Sequence, residues 1–265
     1  MRNKRKQIVG LLLSASLLCG VMAIPLEANA ASTETVYVVD KSTCKGSVTG
    51  VTNLQYDNNG MIVQWVSNVE PAMTFTYENG LLTKVSDPYT DIAVIHYDAK
   101  NRMKSKKTYN SSIQYAYNGK GQVSKSVSKN NYGIKRTTKY SYDENGNPVK
   151  TTTSNDSAQI VTTYTYDGKG NFTGSKCETD SYNLSYTSKN TYDSKGRLVK
   201  RVVKDSYKQK QSQSGVASGR SATNYTETVT YRQIKVPKNK ADAVKKQQFA
   251  LLNGEAPVTI IPWYY

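Results

Sequence analysis

The side chains able to do chemistry are few in this sequence, and one set of them recurs. Asp57, Asp98, Asp143, Asp167 and Asp193 each follow a tyrosine. Carboxylates repeated in this way can ligate Ca²⁺, and two held about 5–10 Å apart would form the acid and base of a glycoside hydrolase. His96 is the single histidine, so a His-based triad has one base to draw on and no evident nucleophile beside it. The His/Cys clusters that zinc requires are absent. No glycine-rich loop opens a helix to cradle a phosphate, and no nucleic-acid motif is present. Beyond the N-terminal segment two cysteines remain, Cys44 and Cys177, a candidate disulfide that would require the intervening chain to curl back on itself. No catalytic residue, cofactor or metal is expected from this inventory. The aspartates must be read through the elements that carry them.

Those elements repeat. Tyr56, Tyr77, Tyr97, Tyr117, Tyr142, Tyr166 and Tyr192 head one unit used seven times, at spacings of 21, 20, 20, 25, 24 and 26 residues. The fullest copy is "YDSKGRLVK" from Tyr192. Asp at the first turn position accepts from backbone N–H groups two residues on. Gly60, Gly121, Gly146, Gly170 and Gly196 then supply the left-handed residue of a three-residue hairpin loop with a bulge. Asn101 takes that place in the third copy, and Asn tolerates positive φ. The second copy, one residue shorter, turns on Asn79-Gly80. Each unit is therefore a β-hairpin, and each aspartate has a turn to hold before any ligand is invoked.

Across such a turn the tyrosines face Ile62, Leu82, Met103, Val123, Pro148, Phe172 and Leu198, all apolar. Two residues before the tyrosines, on the same face by the strand period of two, lie Leu54, Phe75, Ile95, Tyr115, Tyr140 and Tyr164; Asn190 breaks the rule in the seventh copy. The other face carries Thr76, His96, Ala116, Ser141 and Thr165, with Asp98–Arg102 and Asp193–Arg197 as exposed pairs. The fold class predicted is all-β: an antiparallel sheet of about fourteen strands in successive hairpins, curled or closed into a barrel-like shell. Its apolar face draws on 21 Tyr against 3 Phe and 2 Trp, so many ring hydroxyls need partners.

"YDSKGRLVK" and "YDENGNPVK" resemble the YD repeat of Rhs and teneurin-type proteins, with its Tyr-Asp-x-x-Gly-Arg-Leu pattern. The similarity runs from residue 56 to about 203, and the seventh copy matches through Arg197 and Leu198. The resemblance implies a spiralling β-sheet shell, a cell-wall association with carbohydrate binding in some members, and an enclosed toxin or peptide in the large ones. This chain is much shorter than a full shell. It also shows neither an aspartyl self-cleavage signature nor a toxin segment, so the sheet is what carries over.

The flanks read differently. Residues 1–30 combine Arg2, Lys4, Arg5 and Lys6 with an apolar run and Ala28-Asn29-Ala30, a secretory signal cut after Ala30, leaving no transmembrane segment and a secreted or cell-surface protein. Residues 31–236 form the β domain, with a flexible Ser/Gln/Gly-rich loop at 205–224. In 237–265 a helix capped by Asn239 and stopped by Gly254 presents Ala241, Val244, Gln248, Phe249 and Leu252, ahead of the apolar tail "APVTIIPWYY". That tail can plug the sheet or dock a partner, and the sequence leaves the oligomeric state open. Without its signal the chain holds 32 Lys+Arg and 19 Asp+Glu, a net of +13, with the lysines scattered. The function expected is a binding or structural surface component for an anionic cell-wall polymer or extracellular glycan. A small glycan-active enzyme with paired carboxylates in a closed barrel and an accessory fragment of an Rhs-type toxin system are the alternatives.

Overall fold

The computed structural model describes residues 32–253 except 156–157, 180 and 211–222. The expected signal, Gly254 and the apolar tail lie outside the described residues, as does most of the 205–224 segment.

Sixteen strands follow one another round a closed antiparallel barrel. They are β1 (Thr33–Gly46), β2 (Gly50–Tyr56), β3 (Ile62–Ser67), β4 (Met73–Glu78), β5 (Leu81–Ser86), β6 (Asp91–Tyr97), β7 (Met103–Thr108) and β8 (Ser111–Tyr117). The second half holds β9 (Val123–Asn130), β10 (Lys135–Tyr142), β11 (Pro148–Ser154), β12 (Gln159–Tyr166), β13 (Phe172–Glu178), β14 (Tyr182–Tyr192), β15 (Leu198–Gln209) and β16 (Asn224–Pro237). A single helix among the described residues, α1 (Lys238–Leu252), ends the chain described. Every neighbour along the ring is a hairpin partner except the seam, where β1 pairs with β16 over thirteen residue pairs. Closure leaves no open edge for another chain to extend.

The strands alternate as the period of two requires. Leu54, Trp65, Phe75, Val85 and Ile95 point inward with Val203, Tyr225 and Val229 to form the main core, and Leu251 and Leu252 of α1 join it. This half of the ring is lined with aliphatic and aromatic side chains, each buried one stabilising by roughly 1.5–3 kcal/mol. Across β8–β14 the inner face turns to Tyr115, Tyr140 and Tyr164 with Ser126, Thr138, Thr151 and Thr153, mostly half-buried. Here hydroxyls pair with hydroxyls: Ser126 with Tyr140 at 2.9 Å, Thr151 with Tyr164 at 3.0 Å and Thr138 with Thr153 at 2.9 Å.

Four sequence expectations are corrected. The described residues hold sixteen strands: β1 and β16, which carry no Tyr-Asp turn, flank the fourteen of the repeat hairpins. The segment 205–224 is strand at both ends: β15 runs through Asp205 to Gln209 and β16 begins at Asn224, where Thr223 N–H donates to the Asp205 carboxylate. Asn239 lies inside α1, which starts behind Pro237 with no side-chain cap; Ala241, Val244, Gln248 and Leu252 are buried as expected, but Phe249 is 46% exposed while Gln247 is buried. Cys44 and Cys177 are both free thiols. They sit on β1 and β13 with β16, β15 and β14 between them, so the ring closes through strand pairing and not through sulfur.

Candidate functional site

The Tyr-Asp turns hold the recurring carboxylates. Gly60, Gly80, Gly121, Gly146, Gly170 and Gly196 all have φ between 76° and 84°, and Asn101 has φ 57°. In each five-residue turn the Asp or Asn side chain accepts from the backbone: Asp193 Oδ1 takes the N–H groups of Lys195 and Arg197, both at 2.9 Å, and Asp57, Asp98 and Asp167 act alike. Asp143 accepts from Asn147 through backbone and side chain, at 2.7 and 2.9 Å. The second oxygen of Asp98 takes the Arg102 guanidinium at 2.7 Å, and that of Asp193 takes the Arg197 guanidinium. The Arg197 hydrogen bond and backbone donors hold the Asp193 carboxyl below its usual range. For Asp98 burial pushes upward, and Arg102 together with backbone donors outweighs it, giving the same net direction. These carboxylates are occupied by their own turns. Among the described residues no group of three or more metal-ligating side chains comes together.

The tyrosines form a continuous arrangement. Tyr56, Tyr77, Tyr97, Tyr117, Tyr142, Tyr166 and Tyr192 pair with Ile62, Leu82, Met103, Val123, Pro148, Phe172 and Leu198, each just past a bulge. Each hydroxyl then reaches back one hairpin, to the carbonyl of the previous tyrosine's partner. Tyr97 donates to Leu82 at 2.8 Å, Tyr117 to Met103 at 2.7 Å, Tyr142 to Val123 at 2.8 Å and Tyr166 to Pro148 at 2.9 Å. Tyr231 donates to Leu198 at 2.7 Å, and Tyr56 to Val39, the residue opposite Tyr231. Burial raises the hydroxyl pKa along this ring. Two members differ. Tyr192 donates to the Asp167 carboxylate, because Ser188 and Asn190 already donate to the Phe172 carbonyl. Tyr77 accepts from Gln247 Nε2 at 2.9 Å.

That second exception belongs to α1, which crosses the barrel end formed by the Tyr-Asp turns. Gln247 accepts from Ile62 N–H at 3.2 Å, Gln248 from Val39 N–H at 2.8 Å and Asn253 from Phe172 N–H at 2.9 Å. Beneath its C-terminal end lies a buried polar network. Arg201 donates to the Leu252 carbonyl and to Asn190 Oδ1, and its guanidinium is 3.6 Å from Glu227, which accepts from Ser42 at 2.8 Å. Glu227 is the one carboxylate among the described residues that is buried, and it is partnered there by the Arg201 guanidinium and the Ser42 hydroxyl. Cys44 lies opposite Glu227, and burial together with that carboxylate pushes its thiol up to about 12. The network fixes the helix across the opening. Lys106, buried with Ile95 and Ile113 opposite it on either side, is held down to about 8 by desolvation.

The outer face is where charge gathers. From Met103 to Tyr142 the sequence has eight lysines and one arginine and no acid. Register brings them together on β7–β10: Lys125 stands directly opposite Lys139, Lys129 opposite Lys135, and Ser112 alone separates Lys129 from Lys107. All five lysines are exposed. Like charges directly opposite one another oppose folding, so the arrangement is a cost the fold carries. His96 is exposed on this outer side, opposite Ser105 on β7. A groove of about 170 Å³ opens at the end of these strands, between Lys107, Tyr109, Ser111 and Lys129. The sequence reveals the cluster only in part, because Lys125 and Lys139 lie fourteen residues apart and only the register aligns them.

The class these observations define is a closed sixteen-stranded up-and-down barrel with a helix across one end. No family model matches the chain, and no curated protein does. Among solved structures it is similar to TcdB2-TccC3, at 17% identity and a TM-score of 0.33, covering 73% of this chain and 11% of that one. TcdB2-TccC3-TEV gives 16%, 0.32, 75% and 11%. A porin-like protein from Bacteroides uniformis gives 11% identity and 0.33, covering 73% of this chain and 98% of that one. The chain thus spans about a tenth of the TcdB2-TccC3 chain it matches. Among the described residues no helix is long and apolar enough to cross a membrane.

Proposed function

We propose that this is a secreted YD-repeat protein that works by binding, without catalysis, and that its ligand is an anionic extracellular polymer such as a cell-wall polymer or acidic glycan. The observation that carries the reading is the acid-free lysine array on β7–β10, with Lys125–Lys139 and Lys129–Lys135 as facing pairs. A face that keeps uncompensated like charges at strand spacing is suited to a ligand that supplies the countercharge. A linear polyanion lying across the strands would meet successive ammonium groups, and its hold would weaken as salt screens them. The barrel positions the array and the helix-covered end lies apart from it.

Co-sedimentation of residues 31–265 with isolated wall polymer, in low and high salt, tests the proposal. Binding at low salt that falls at high salt is expected, and the double variant Lys129→Glu/Lys135→Glu should lose most of it. Absence of any pull-down at low salt would sink the reading.

A further inference from the structure

Six large apolar side chains are exposed among the described residues, and five of them stand on loops at one end of the barrel. Val69 lies between β3 and β4, Tyr89 between β5 and β6, Tyr109 between β7 and β8, and Tyr132 and Ile134 between β9 and β10. In an up-and-down barrel these four connections share the end opposite α1. Their exposures, 84% for Tyr89, 67% for Tyr109 and 90% for Tyr132, mean that the rings have no packing role in the folded chain.

The tips are nonetheless rigidly built. Asn130 accepts from the N–H groups of Tyr132 and Ile134 at 3.1 and 2.9 Å, and Gly133 closes the turn at φ 81°. Asp87 accepts from Tyr89 and Thr90, both at 2.8 Å. Asn131 ties two neighbouring tips together by donating to the carbonyls of Tyr109 and Asn110, both at 3.1 Å. Directly behind them come Lys107, Lys129, Lys135 and Arg136, all exposed. A turn ordered by its own hydrogen bonds, displaying a ring to water, spends apolar surface that folding does not recover.

We infer that this rim docks on an anionic lipid surface, the tyrosine and isoleucine tips entering the headgroup layer while the lysines behind them meet lipid phosphates. Five exposed apolar residues spread over four neighbouring tips at one end, backed by a row of cations, match a planar anionic interface better than a threaded chain. Tyrosine, with an apolar ring and a polar tip, is the side chain that settles at that depth. Adjacent cations add attraction that depends on lipid charge and salt.

The test is sedimentation of residues 31–265, which contain the whole described barrel, with vesicles of phosphatidylcholine alone or mixed with phosphatidylglycerol. Binding to the mixed vesicles at low salt is expected, with little to the neutral ones. Tyr109→Ser/Tyr132→Ser should weaken it about tenfold, with unchanged circular dichroism and unchanged association with wall polymer, whose lysines are untouched. Wild-type binding by the tyrosine variant would show adsorption by charge alone and overturn the inference. So would no binding to the mixed vesicles, equal binding to both kinds, or a dimer that these substitutions dissociate. The polymer experiment is independent, so either reading can fail alone.

Discussion

Gly60 and Gly121 occupy the same turn position, and substituting each by alanine separates the cost of the turn from the cost of holding the helix. Their φ values are 80° and 78°, so a Cβ strains both backbones alike, by roughly 1–2 kcal/mol. Their surroundings differ. At Gly121 an added Cβ meets nothing within 4 Å. At Gly60 it would lie 2.6 Å from Val236 Cγ1, 2.8 Å from Val244 Cγ2 and 3.3 Å from Ile234 Cδ1. Valine methyls cannot swing clear as a long chain end would, and Val236 and Val244 are fully buried. Overpacking of that order costs about 1–3 kcal/mol. Gly60→Ala should therefore be about 1–3 kcal/mol less stable than Gly121→Ala, a large share of the roughly 5–15 kcal/mol typical of a folded domain. Urea unfolding with both variants at matched m-values measures the difference. Equal midpoints would refute the placement of α1 against this turn.

Three further outcomes follow from the interior. Tyr142→Phe removes the donor to the Val123 carbonyl and should cost about 1–3 kcal/mol by thermal or urea unfolding, whereas Tyr132→Phe at the exposed tip should cost nothing measurable. Lys106 is held at about 8 in the folded chain against an ordinary value near 10.5, so the unfolded chain binds more protons between those values and stability from this residue rises with pH across that window. Lys106→Met should flatten that rise, read from urea titrations at pH 7 and 10. Cys44, with its thiol pushed up to about 12, should resist a thiol reagent at pH 8 in the native protein and react fully in denaturant.

Much of the wall was legible in the sequence, for a physical reason. A hairpin is a local object: Asp, Gly and the tyrosine pair lie within seven residues, and turn chemistry plus the period of two determine which side chains meet. All seven tyrosine partnerships could be read that way, even where Asn101 or Asn79-Gly80 replaces the usual turn. Closure could not, because β1 and β16 are joined by pairing across nearly the whole chain and neither carries the repeat. The helix face is legible at Ala241, Val244, Gln248 and Leu252, all buried, and departs from expectation at Phe249. Apolar periodicity places Phe249 inward, whereas the barrel end presents backbone N–H groups, and Gln247, Gln248 and Asn253 satisfy them. A polar side chain can face a core when the core itself offers polar backbone. The lysine array is only partly visible in the sequence, because Lys125 and Lys139 lie fourteen residues apart and register is what brings them together.

The β1–β16 seam also bears on how the ring comes into being. Fifteen of the sixteen ladders join strands adjacent in the chain, all but β15–β16 across short connections, and hairpins of that kind form within microseconds in isolated peptides. The seam must bring together segments some 190 residues apart, at an entropic cost of about 5 kcal/mol. It is also the longest ladder, thirteen pairs against eleven for β14–β15 and two to seven elsewhere. Its length offsets its remoteness. A chain folding from its N-terminus would gather hairpins one by one and yet remain an open ribbon, with two unpaired edges, until its last strand was in place. Ring closure is then a late, single commitment, and shortening either seam strand should slow assembly far more than shortening any strand between them.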